Sequence, residues 1–158
     1  MRLGRQITGV VALVSYLFMG AMMYLTVLPG ADGHWPPDFH LTGYDAQSIA
    51  PFAEAISEKA KTAYGVILSR LDRVFIVALA LWMALLGWRG GWVRYFVVGF
   101  AAIYAVIDLA ENAAIYRFMF VDVMDALVIK TAHHLTMAKF ASLYLCVLVL
   151  IVHLRRTV

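Results

Sequence analysis

Residues 95–120 read YFVVGFAAIYAVIDLAENAAIYRFMF. From Tyr95 to Ile107 no charge appears, and then Asp108, Glu111 and Asn112 arrive together before the apolar pattern resumes. A helix of this length, at ~1.5 Å per residue, exceeds a hydrocarbon layer of ~30 Å. Water-soluble helices keep polar residues along one whole side. This stretch is apolar all round except at 108–112 and at Arg117 near its end, so its solvent is lipid.

The rest of the chain agrees. It has 158 residues, 63% of them hydrophobic and 15% charged, with a mean hydropathy of +0.81. Soluble domains lie near 45–50% apolar and about 25% charged. A length of this order supports one domain. The net charge of +3 is explained by the basic inner loops of membrane proteins. No basic run with interleaved aromatics points to nucleic acid. The single cysteine, Cys146, lies within the last apolar run and forms no internal disulfide.

Four spans are predicted, over about 7–28, 66–88, 95–120 and 137–152. The first is longer than the ~7–15 residue apolar core of a secretory signal and reads as a retained span. Pro29 and Gly30 stop it. An external segment, 29–65, follows. Its prolines, Pro36 and Pro37, exclude regular structure in the polar loop 31–44. From Asp45 the pattern turns amphipathic, with Ile49, Phe52, Ala53, Ile56, Ala60 and Ala63 at helical spacing. Asp45 or Ser48 is its cap. The expected architecture is all-α: a four-helix transmembrane bundle with an amphipathic extracytoplasmic helix between spans one and two.

Orientation follows from charge. Residues 1–6, 89–94 and 153–158 hold Arg2, Arg5, Arg89, Arg94, Arg155 and Arg156 and no acidic residue. Basic residues in short loops stay on the cytoplasmic side. The reading is a multi-pass protein of a bacterial inner membrane, with both termini cytoplasmic.

Charges inside a span cost ~2.5–3.5 kcal/mol each on insertion scales and face the interior of a bundle. Asp108, Glu111 and Asn112 stand at i, i+3 and i+4, on one helix face, with Tyr104 a turn earlier. Counting rise from the inner ends, Asp108, Glu111, Asp72, Arg73 and Lys139 all lie about 20–24 Å up their spans. Together with Asn112 they form one expected layer of three acids and two bases, near the balance that a low-dielectric interior requires. Tyr24, His133 and His134 lie at its upper edge. Arg117, on the far side of the helix from Asp108, is expected to reach outward. The layer reads equally as a clamp fixing helix register and as a small-molecule, lipid-headgroup or proton site.

Other signals are weaker. His34, Asp38 and His40 do not match a metal-ligand spacing, and His133 and His134 point ~100° apart on a helix. No metal is expected, and no cofactor: the sequence lacks a nucleophile elbow, a zinc-protease helix, a phosphate loop and a paired-cysteine motif. Trp82, Trp88 and Trp92 suit an interfacial belt near the inner turn.

Gly43-Tyr44, Ala63-Tyr64, Leu71-Asp72-Arg73-Val74-Phe75 and Asp108-x-x-Glu111-Asn112 resemble, over about residues 40–150, a family of small uncharacterised bacterial four-helix membrane proteins. That resemblance implies no activity. In span number and inward carboxylates the chain is also similar to sterol-isomerase and sigma-2-receptor-like proteins, whose acidic residues hold a cationic or sterol ligand; that likeness is architectural. Three functions stay open. The first is a non-catalytic accessory or lipophilic-ligand-binding protein, with membrane lipid, a lipophilic small molecule or a membrane protein as partner. The second is an isomerase-like enzyme using Glu111 or Asp108 as acid/base beside Arg73 or Lys139. The third is a small transporter subunit.

Overall fold

The structure is a computed structural model and describes residues 1–156. Among them there are helices and turns but no strand. Helix α1, Arg2–Met22, grows from the charge-free first run and continues through a wide π turn, Met23–Val27. Pro29 opens a 3-10 turn over Pro29–Ala31 and ends it. The loop beyond holds one more 3-10 turn, Pro37–Phe39.

The amphipathic segment is two helices rather than one. Helix α2, Ala46–Ala55, starts on a reciprocal cap. Ser48 donates its N–H to the Asp45 carboxylate at 2.8 Å, and Asp45 donates its own to Ser48 Oγ at 2.9 Å. Ile56 and Ser57 then turn extended, and Ser57 caps helix α3, Glu58–Val66. The break has a partner: the Ser57 N–H donates to Gly30 O at 2.6 Å, tying the bend to the end of α1. Helix α3 passes through a π turn, Ile67–Leu71, directly into α4, Asp72–Gly87. Helix α5 spans Val93–Phe120 and α6 spans Ala126–Arg156. The last helix thus begins well before residue 137. Asp125 accepts the N–H groups of Leu127 and Val128 at 2.9 and 3.0 Å, and this cap lets the 126–136 stretch join it.

The start of α1 and the ends of α4 and α6 share one end of the molecule. A Cβ on Gly4 would stand 3.7 Å from Leu85 Cδ1, and His153 Nε2 lies 3.1 Å from Gly87 O. One apolar core joins α4, α5 and α6 through Ile76, Met83, Val97, Ala101, Cys146 and Leu150. A second core, at the opposite end, binds the end of α1 to the 29–66 cap through Val27, Ile49, Phe52, Tyr64, Ile115 and Ile129.

Three helices are long and apolar enough to cross a membrane: Arg2–Val27, Val93–Phe120 and Ala126–Arg156. They make this a multi-pass membrane protein by length and composition. Helix α4 falls short of that mark. Arg70, Asp72 and Arg73 cluster at its start. They leave 74–87 charge-free, ~21 Å at helical rise against ~30 Å of hydrocarbon. Helix α1 stands at the edge of the arrangement: it packs along α4, and Ala12 is its one buried residue.

Candidate functional site

Midway along α6, Thr136 and Lys139 stand one turn apart and face Asp108 and Glu111 of α5. Lys139 Nζ is 2.5 Å from Glu111 Oε2 and 3.6 Å from Asp108 Oδ1. Thr136 Oγ is 2.5 Å from Glu111 Oε1 and 3.4 Å from the Tyr44 hydroxyl. A threonine has one proton to give, and the carboxylate takes it over the shorter distance. The Tyr44 phenol therefore donates into Thr136. Both Glu111 oxygens are engaged, and Glu111 and Thr136 are fully buried. Asn112 Nδ2 donates to Asp72 Oδ2 at 2.7 Å, tying α5 to α4. Tyr104 sits beside Asp108.

The cap reaches into this layer. Tyr64 donates its hydroxyl to Asp38 Oδ1 at 2.7 Å, and Asp38 lies within electrostatic reach of Lys139. Burial holds the Asp38 carboxyl above the usual carboxylate range, with Lys139 and the Tyr64 hydroxyl opposing the rise. Burial likewise raises the Tyr44 phenol and keeps it a donor. The Tyr44 N–H donates to His133 Nδ1 at 2.9 Å, so that nitrogen is an unprotonated acceptor. Gly43 makes this approach possible. Its φ is +89°, and a Cβ there would collide with the His133 ring at Cε1.

Of the residues expected in the layer, Asp72, Asp108, Glu111, Asn112 and Lys139 come together, with Tyr104 and His133 at its edge. Arg73 does not join them. It is exposed and lies toward Ile7, Thr8 and Val11 of α1. Equal depth brought it into the expectation, but its neighbour Asp72 points inward and consecutive helical residues diverge by ~100°. His134 is exposed as well, its ring meeting that of His133 edge-on at 4.9 Å. Tyr24 is 61% exposed and meets Trp35 edge-on. Arg117 does turn outward and pairs with Asp122 at 2.5 Å.

Asp38, Tyr44, Tyr64 and Thr136 complete the site. Thr136 was legible in principle, being a turn from Lys139 on one face. The other three depend on the cap folding inward. The exchange of Arg73 for Asp38 changes the balance. Among the described residues, Asp38, Asp72, Asp108 and Glu111 converge on one cation, Lys139. Three acceptors, Asp108 Oδ1, Glu111 Oε2 and Asn112 Oδ1, are buried and receive no hydrogen bond of good geometry; the two carboxylate oxygens face the Lys139 ammonium, and Asn112 Oδ1 has no such partner. Among the described residues no group of three His, Cys, Asp or Glu is disposed to hold a metal ion.

No protein-family model, curated protein or solved structure matches the chain.

Proposed function

We propose that the protein is a non-catalytic accessory or lipophilic-ligand-binding component of the bacterial inner membrane, crossing it four times with both termini cytoplasmic. The polar layer, in the outer half, fastens the extracytoplasmic cap to the helices. The fourth crossing is α4 with the π turn before it, residues 67–87, which continues from the last helix of the cap. Its Arg70 and Arg73 extend along lipid to the headgroups, while Asp72 turns inward to Asn112. An even number of crossings agrees with α1 starting where α6 ends. The arginine-rich, acid-free segments at that end support the cytoplasmic assignment.

The observation that carries this reading is the chain Tyr44–Thr136–Glu111–Lys139, which links cap, α6 and α5 through buried side chains. It occupies both oxygens of the carboxylate that would serve as an acid/base. Two surface grooves lie elsewhere, along α1 and α4. The test is Glu111→Gln, followed by thermal unfolding in detergent and native mass spectrometry. The substitution breaks the short ion pair and leaves Lys139 with Asp108 at 3.6 Å; it is expected to cost ~2 kcal/mol, the worth of a hydrogen bond to a charged group, with no bound molecule lost.

The unbonded oxygens of Asp108 and Asn112 favour a second reading, a ligand with a hydrogen-bond donor seated between them. Unchanged stability with loss of a co-purifying molecule from the Gln variant would support that reading over the first.

A further inference from the structure

A groove of about 830 Å³ runs between α1 and α4, away from the polar layer. That volume lies within the ~300–1,000 Å³ of small-molecule sites. Its walls are apolar, formed by Leu13 and Tyr16 on one side and Leu79 and Trp82 on the other. Its mouth is cationic: Arg5 and Arg89 line it, both partly buried. Among the described residues neither pairs with a carboxylate, and the lining contains no acid.

The groove owes its shape to Gly9. A Cβ there would stand 2.7 Å from Trp82 Nε1, so the missing side chain lets the indole lie across α1 as a wall. From Arg5 to Tyr16 the groove follows α1 for ~16 Å. That is about half of a ~30 Å hydrocarbon core, the depth of one leaflet. Boundary lipid needs only an apolar surface. Here the apolar slot is one leaflet deep and ends in two unneutralised guanidinium groups, whose planar donors match phosphate oxygens.

We infer that this groove is a binding site for one anionic phospholipid of the leaflet at the Arg5 end, with an acyl chain along Leu13 and Trp82 and the phosphate between Arg5 and Arg89. The site depends on the chain lying in a bilayer and is independent of what the polar layer does.

The test uses the full chain in nanodiscs of equal phosphatidylglycerol and phosphatidylcholine, then extraction into detergent and lipid quantification by native mass spectrometry. The wild type is expected to retain one phosphatidylglycerol per chain in preference to phosphatidylcholine. The Arg5→Gln/Arg89→Gln double variant should lower that preference roughly thirtyfold, from the contribution of two basic residues near an anionic headgroup. Leu13→Trp, at an exposed position, should expel the lipid with both arginines intact. Helix content by circular dichroism verifies that each variant is folded. Equal retention of the two lipids by the wild type would overturn the inference, since that is boundary lipid only. So would a preference unchanged in the double variant, a lipid still held by Leu13→Trp, or a groove filled by a second copy of the chain.

Discussion

Asp38 sits in a proline-rich loop, in a sequence context that reads as solvated, yet its carboxyl receives the Tyr64 hydroxyl and shares the field of Lys139. Burial outweighs both partners and holds its pKa above the ordinary 3.8. The folded chain therefore binds this proton more tightly than the unfolded chain. The associated stability is complete below about pH 4 and is lost as pH rises through the raised value. Asp38→Asn should remove this portion of the pH dependence. Thermal unfolding from about pH 4 to pH 8 measures it, and identical slopes in the two proteins would refute the placement of Asp38. Asp108, Glu111 and Asn112 lie on a single helix, where spacing alone fixes their common face, while Asp72 and Lys139, on two other helices, were placed by depth. Arg73 shows the limit of depth as a guide. A residue at the right height on the wrong side of its helix never meets the layer.

At the level of elements, the long apolar helices were legible because lipid demands length and uniform apolarity, and α5 ends at Phe120 as its run does. Boundaries set by hydrogen bonds were less so. The Ser57 break is stabilised by Gly30, far away in sequence, and the early start of α6 by the Asp125 cap. Pairing of α1 with α4 was not legible either. It rests on Gly9 admitting Trp82, a contact between positions that carry no shared pattern. Gly9→Ala should force the indole aside and cost ~1–3 kcal/mol of overpacking. Denaturant unfolding followed by tryptophan fluorescence reads both the loss and the changed environment. An unaltered midpoint would mean that α1 is held by something other than this approach.

The whole molecule has two ends of different character. Near the chain termini, arginines surround apolar packing of α4, α5 and α6. At the other end a folded cap inserts Asp38, Tyr44 and Tyr64 among the helices. Buried polar groups are costly unless satisfied, so a network that closes only when the cap is seated couples cap docking to helix register. His133, Thr136 and Lys139 lie along one face of α6 and meet Tyr44, Glu111 and Asp108 in turn. The four acids facing one lysine distinguish the layer from the balanced set that sequence depth suggested. The Glu111→Gln variant probes the ion pair at its centre. The link to the cap is separate and runs through Thr136.

The most direct measurement of that link is hydrogen–deuterium exchange, read by mass spectrometry, on the wild type and Thr136→Val in the same detergent. Valine keeps the shape and removes the hydroxyl that joins Tyr44 to Glu111. If the polar layer fastens the cap, amides of residues 37–56 will exchange faster in the variant, while those of α5 below Asp108 stay protected. Unchanged protection across the cap would contradict the fastening role.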